Sequence, residues 1–340
     1  MDIRVFCGFV SKLILNSLEK TIGAAVLFSL ACTTVMAKDV VLYSSVSTQA
    51  IDAVVSGFET EYPNIKVSVV RAGSGSLLQR LKAEAGNPQA DIIWAGTPGV
   101  LPLYKDLLEP YLSPEAAAYD RKLIGLENRW LAIESHLHVF LVNTRALKGA
   151  KMPQSWKDLL TPAWEGKIIM GNPEQSSSAY EQLAGVNHFF GKTAADSLAR
   201  NASTVATSSA VNTGVARGEF AISITPEYLA MDYVRNGAKN IDVVYPKDGV
   251  FVSYFTTAIV KGGKNADGAR LLYDYLASKK GRERVLAATY RRPSRGDIDV
   301  AAIAPVPSSK NLTLLPIEEQ LSTNNHAAYI ERWKKVHQGK

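Results

Sequence analysis

Cysteine is scarce in this 340-residue sequence, and the two that occur, Cys7 and Cys32, both lie near its start. Disulfides, thiolate zinc sites and cysteine nucleophiles are therefore excluded from the rest of the chain. A segment of this length buries enough apolar surface to fold without cross-links. Long apolar runs are also missing, because the uncharged stretch at 21–37 is shorter than the roughly 20 residues that a membrane-spanning helix needs.

The start of the chain has the pattern of an export signal. Basic residues precede the uncharged run at 21–37, and Val35-Met36-Ala37 offers small residues where a signal peptidase inspects the chain. We predict a signal peptide at 1–37, cleaved after Ala37, and a mature protein exported to the periplasm. The alternative is lipid attachment at Cys32, although Ser29 stands where a lipoprotein signal prefers an aliphatic residue.

Positive charge is not concentrated anywhere in the chain. The 38 Lys and Arg against 32 Asp and Glu give a net charge of +6 that is scattered along the sequence. A nucleic-acid interface needs a clustered basic stripe with interleaved aromatic residues. The nearest such segment is 290–295, which we interpret as a solvated loop, so no nucleic-acid partner is predicted.

Alternating strands and helices predict an α/β fold. Apolar runs typical of strands lie at 40–43, 65–70 and 90–94, and helical spacing follows each of the first two. This interval implies a mostly parallel sheet with right-handed crossovers. A second α/β region runs from 168 to about 245, and the strand-like runs 137–142 and 251–260 connect the two regions without a flexible linker. Two lobes joined in this way form a hinged clamp.

Three hydroxyl-rich turns, each between a predicted strand and a predicted helix, are candidate binding sites for an anionic oxygen. Backbone N–H groups at a helix N-terminus carry partial positive charge, and serine hydroxyls add further donors. Taken singly, each serine is better explained as an ordinary helix cap, whereas the three turns together favour ligand binding equally. The candidate residues are Ser44, Ser45, Ser47 and Thr48 in the first turn, Ser74, Gly75 and Ser76 in the second, Ser176, Ser177 and Ser178 in the third, and Thr97 and Thr213 outside them.

Catalytic and metal-binding patterns are weaker. The segment 73–78 lacks the third small residue of a dinucleotide fingerprint, the Gly-Lys of a phosphate-binding loop and the glycine spacing of a nucleophile elbow. His136 and His138 share one face of a strand and could ligate a metal, but we interpret them as polar rim residues. We predict no cofactor, no resident metal and no enzymatic activity.

Seven segments, taken in order, carry a resemblance to a known family: 43–45, 73–84, 87–94, 155–160, 164–168, 172–180 and 218–222. Together they resemble the periplasmic substrate-binding proteins of ABC importers, in the branch of ferric-iron, phosphonate and organophosphate binders. The resemblance implies a type II periplasmic-binding-protein fold, with the chain crossing between lobes near residues 131 and 254. It implies an N-terminal lobe at 38–131 with the return segment 255–300, and a C-terminal lobe at 132–254 with 301–340.

The resemblance also bears on the ligand. Iron binders in one group of this branch use a histidine, a glutamate and a tyrosine pair, whereas the aligned positions here hold Ser47, Gly96 and Tyr228-Leu229. Ferric iron needs several anionic oxygen ligands, and Tyr228 with Glu227 would supply too few of them. Serine and threonine donors without an obvious cationic clamp favour an organophosphate or phosphonate, with Glu227 meeting its other end. Iron binding through other tyrosines is the alternative.

The resemblance implies three kinds of partner: a small-molecule ligand, an inner-membrane ABC permease and that permease's ATPase. The protein is expected to be a monomer. Two other classes of function stay open, an exported enzyme on a similar scaffold and a module that presents its ligand to a sensor kinase.

Overall fold

A computed structural model of the chain describes residues 39–206, 208–317 and 324–339. Both cysteines and the predicted signal peptide lie outside these ranges. The signal peptide and its cleavage after Ala37 therefore stay predictions. Within the ranges, no helix combines the length and the apolar character that crossing a membrane requires.

Eleven strands pair into one connected sheet system among the described residues. The main path runs β2-β1-β3-β9-β4-β7-β5-β6, while β10 and β8 pair with β4 and β11 pairs with β9. The strands are β1 (Val40–Ser44), β2 (Val67–Arg71), β3 (Ile92–Trp94), β4 (Leu131–Asn143), β5 (Ile168–Gly171), β6 (Ala202–Val205), β7 (Ile222–Pro226), β8 (Ile241–Val244), β9 (Val250–Ile259), β10 (Arg292–Pro293) and β11 (Leu314–Pro316).

Helices alternate with these strands, as predicted from the spacing of apolar residues. The α-helices are α1 (Thr48–Glu61), α2 (Ser74–Ala83), α3 (Trp156–Leu159), α4 (Ser177–Phe190), α5 (Lys192–Asn201), α6 (Ser208–Ala216), α7 (Glu227–Arg235), α8 (Ala266–Ala277), α9 (Lys279–Thr289), α10 (Val300–Ile303) and α11 (His326–His337). Short 3-10 helices lie at Leu101–Leu107, Pro114–Ala118, Arg121–Leu123, Leu126–Asn128, Pro162–Trp164 and Ser309–Asn311.

The sheet is mixed, so the α/β class is confirmed but the expectation of a mostly parallel sheet is wrong. β1 pairs in parallel with β2 and β3, and β5 does so with β6 and β7. In contrast, β9 runs antiparallel to both β3 and β4. The reason is that β9 brings the chain back from the second α/β region, a return that alternating βα units do not describe.

The long strand β4 takes part in both halves of the sheet. Its residues 131–137 pair with β9, and its residues 138–143 pair with β7 and β8. A large apolar cluster around Phe58 and Trp94 lies on one side of this change of partner, and a second around Trp156 and Phe251 lies on the other. The predicted lobe boundaries stay a prediction.

Candidate functional site

A cavity of about 760 Å³ lies where the N-terminal ends of α1, α2, α4 and α7 meet. Each of these helices directly follows a strand or a short turn after one. Because β5 and β7 run opposite to β1 and β2, the carboxyl ends of the two strand sets face each other, and the helix N-termini meet between them. Ten of the predicted site residues line the cavity: Ser45, Ser47, Ser74, Gly75, Ser76, Thr97, Ser176, Ser177, Ser178 and Tyr228.

The cavity is rich in hydrogen-bond donors because of how the helices begin. Ser47 and Ser176 are the N-caps of α1 and α4, and their side chains accept hydrogen bonds from Ala50 and Ala179. Gly73 caps α2 without a side chain, so the first turn of α2 opens onto the cavity, where the hydroxyls of Ser74 and Ser45 are 2.8 Å apart. Free N–H groups and hydroxyls here can bind an anion.

Among the hydroxyl residues of the cavity, Thr97 gives the strongest indication of a bound ligand or water. It is 4% exposed and lines the cavity, yet its Oγ1 has no hydrogen-bond partner among the described residues. The preceding Gly96 has φ +84°, a conformation that L side chains rarely adopt, and it turns the chain from β3 toward the cavity. A buried hydroxyl without a partner is costly unless a ligand or water satisfies it.

Four predicted residues are not brought to the cavity. Ser44 is fully buried and donates to the carbonyl of Trp94, and Thr48 is exposed at the start of α1. Thr213 bonds with the hydroxyl of Tyr233 instead. The hydroxyls of Ser44 and Thr213 therefore bond to neighbouring elements, and Thr48 lies outside the cavity lining.

Glu227 is the fourth, and its placement corrects the expectation that it meets the far end of a ligand. Its carboxylate is 2% exposed and accepts hydrogen bonds from Nε and Nη2 of Arg292 at 2.5 and 2.7 Å. It also accepts one from Tyr245 at 2.5 Å, and burial together with this carboxylate raises the pKa of Tyr245. Glu227 is therefore the centre of a buried ion pair.

Arg291 is the main residue that sequence reasoning missed. It lines the cavity and is 5% exposed, and its guanidinium lies 3.8 Å from the centre of the Tyr228 ring. The segment 290–295 is thus no solvated loop, because Arg291, Arg292 and Arg295 are all buried. The absence of an obvious cationic clamp was likewise a wrong expectation, since Arg71 lines the cavity too.

Arg291 is held by a buried carboxylate on β4. Glu134 is fully buried, and its two oxygens accept hydrogen bonds from Nη1 of Arg291 at 2.9 Å and from Nη1 of Arg282 at 3.0 Å. Burial alone would raise the pKa of Glu134, but the charge of Arg291, the hydrogen bond from His136 and the charge of Arg282 outweigh it and lower that pKa to about 2. Glu134 therefore stays ionised.

The two histidines of β4 are buried, not polar rim residues as expected. His136 lines the cavity between the rings of Tyr228 and Phe255, and burial lowers its pKa. His138 bonds with Ser253 at 3.0 Å, and burial lowers its pKa to about 3. Within the described ranges, no three His, Cys, Asp or Glu side chains form a group that could hold a metal ion.

Carboxylates also line the cavity, and two of them have cationic partners. Glu174 lies 3.0 Å from Nζ of Lys334, and Asp232 pairs with Arg235 on the same helix. The cavity thus combines hydroxyls, helix N-termini and a buried guanidinium, an arrangement suited to a small anion that also has polar groups.

The chain belongs to the family of bacterial extracellular solute-binding proteins, whose model matches residues 88–319. The resemblance seen in the sequence is thereby confirmed, and the related structures have the two-lobe fold of periplasmic binding proteins. Relatives from Salmonella and Neisseria are named as binding proteins.

Three similar proteins illustrate the ligands of relatives. A Salmonella paratyphi A protein named as a 2-aminoethylphosphonate-binding periplasmic protein is 24% identical over 70% of this chain and 72% of its own. The major ferric iron-binding protein of a Neisseria meningitidis serogroup B strain is 25% identical over 75% of this chain and 80% of its own. The structure of the periplasmic binding protein AfuA of Actinobacillus pleuropneumoniae, solved with fructose-6-phosphate, matches this chain with a TM-score of 0.78 and 26% sequence identity. The match covers 89% of this chain and 99% of the AfuA chain.

Proposed function

We propose that this solute-binding protein captures a small organophosphate or phosphonate in the described cavity, without catalysis. The observation that carries the proposal is the buried guanidinium of Arg291 at a cavity lined by serines at three helix N-termini. Hydrogen bonds to charged groups contribute about 1.5–3 kcal/mol each, so several suffice for micromolar affinity, about 8 kcal/mol, after ordering and desolvation.

The remaining parts of the proposal concern delivery. The protein is exported, is cleaved after Ala37 and works in the periplasm as a monomer. The lobes 38–131 with 255–300 and 132–254 with 301–340 close on the solute. The closed form then docks on an inner-membrane ABC permease, whose ATPase drives import.

Ferric iron is the second candidate, since Tyr228 lines the cavity and one relative is a ferric iron-binding protein. The surroundings of Tyr228 favour an anion instead. The guanidinium of Arg291 covers its ring, and a trivalent cation at its oxygen would be repelled by that charge. Donor groups at helix N-termini likewise attract anions and repel cations.

Calorimetry tests the two candidates side by side. The titrants are 2-aminoethylphosphonate, fructose 6-phosphate and inorganic phosphate, and a ferric titration is followed by visible absorbance. We expect at least one phosphorylated compound to bind with micromolar or tighter affinity. No heat from any of the three, together with a tyrosinate-to-iron absorption band that Tyr228→Phe abolishes, would reverse the ranking.

Replacing Ser177 by Ala should weaken binding of the phosphorylated ligand by about tenfold, because a lost bond of about 1.4 kcal/mol changes affinity by that factor. Ser177 lies one residue inside α4, while the N-cap is Ser176, so the helix keeps its cap. Ser56→Ala, at an exposed position of α1, is the matched control and should bind like the parent protein. Equal affinities for the two variants would show that Ser177 makes no ligand contact.

A further inference from the structure

The buried cluster of Arg282, Glu134 and Arg291 contains two guanidinium groups and one carboxylate. All three side chains are at most 5% exposed, and one Glu134 oxygen serves each arginine. His136 also contacts Glu134 but burial lowers its pKa, so it adds no charge at neutral pH. The cluster therefore carries one positive charge that its own members do not neutralise.

Unpartnered donors accompany this excess charge. Nε and Nη2 of Arg282 and Nε of Arg291 are buried and lack hydrogen-bond partners within the described part of the chain. Arg282 lies over the ring of Trp94, a contact that offers weak compensation. A buried charge without a full set of partners destabilises a protein.

The carboxylates of the cavity are engaged elsewhere. Glu174 and Asp232 pair with Lys334 and Arg235, and Glu181 has a contact of its own within the protein. Arg291 is the member of the cluster that reaches the cavity together with His136, whereas Arg282 and Glu134 do not line it.

We propose that the anionic group of the ligand supplies the missing counter-charge of this cluster, so that Arg282 and Glu134 are positioning residues that set affinity through Arg291. This inference rests on the proposed function. Glu134 holds the guanidinium of Arg291 at the cavity, and Arg282 keeps the cluster positive by offsetting Glu134. Without Arg282, the pair of Glu134 and Arg291 would be neutral and would attract an anion less strongly.

Three variants test whether the net charge of the cluster sets the affinity for the ligand. Arg282→Met leaves a neutral cluster, and Arg284→Met is an exposed control on the same helix. Glu134→Gln with Arg282→Met restores one positive charge, while the Gln amide oxygen can still accept the hydrogen bond from Arg291. The probes are fructose 6-phosphate and 2-aminoethylphosphonate by calorimetry, with the melting temperature of each ligand-free variant. Arg282→Met should bind about tenfold more weakly, the double variant should recover to within about threefold of the parent, and the control should be unchanged.

Stability separates this role from a merely structural one. Since Arg282→Met removes an unbalanced buried charge, its ligand-free form should melt no lower than the parent, while the ligand-induced rise in melting temperature should shrink. A variant that fails to fold, parental affinity in Arg282→Met, or a double variant that binds no better than Arg282→Met would each overturn the inference. A parent protein that binds neither probe would instead refute the proposed function.

Discussion

Replacing Arg291 by Met should weaken binding of the phosphorylated ligand by about a hundredfold. A hydrogen bond to a charged group contributes about 1.5–3 kcal/mol, and each 1.4 kcal/mol is a factor of ten. The substitution also turns the cluster beside the cavity from positive to neutral, because Glu134 then pairs with Arg282 alone. Calorimetry with fructose 6-phosphate and 2-aminoethylphosphonate measures the loss.

The control for Arg291 is Arg217→Met, which removes an arginine that is 71% exposed and lies outside the cavity lining. Its affinity should equal that of the parent. If Arg291→Met folds, melts like the parent and still binds within about threefold of it, Arg291 does not hold the anion and the proposed site is wrong.

Replacing Glu227 by Ala should destabilise the ligand-free protein by about 3–5 kcal/mol, the usual effect of breaking a buried ion pair. The change leaves the guanidinium of Arg292 buried without its carboxylate and removes the acceptor of the Tyr245 hydroxyl. Denaturant unfolding measures the change in the free energy of unfolding.

Two comparisons make the Glu227 result decisive. Glu219→Ala, at a side chain that is 56% exposed, should change stability by less than about 0.5 kcal/mol. Glu227→Ala combined with Arg292→Met should be less destabilised than Glu227→Ala alone, because no unpaired charge remains. Unchanged stability together with an altered choice of ligand would restore the sequence-based hypothesis that Glu227 contacts the solute.

The hydroxyl turns of the site could be predicted from the sequence because their structure is local. A serine before an apolar run of helical spacing caps that helix, as Ser47 and Ser176 do. The turns at 74–76 and 176–178 follow β2 and β5, and each lies at the carboxyl end of its own set of parallel strands. The two sets run in opposite directions, so the two turns reach a common cavity from opposing strand ends. The prediction for Ser44 was wrong because its hydroxyl donates a hydrogen bond to the carbonyl of Trp94, at the end of the neighbouring strand β3.

The charged part of the site depends on contacts between distant residues and could not be read from the sequence. Arg291 is 157 positions from the Glu134 that holds it, and Arg292 is 65 positions from Glu227. Three arginines within 290–295 were visible, but only the pairing of β10 with β4 buries that segment and makes it part of the site. The antiparallel direction of β9 could not be predicted for the same reason. It depends on the pairing of β9 with β3 and β4, which are distant from β9 in the sequence.

A crystal structure of the protein with the phosphorylated compound that binds most tightly in calorimetry is the most direct test of anion capture in this cavity. We predict phosphoryl or phosphonyl oxygens within hydrogen-bond distance of the Arg291 guanidinium and of at least one serine from the turns at 74–76 or 176–178. An anion bound away from Arg291, or a metal ion coordinated by Tyr228 in its place, would contradict the account.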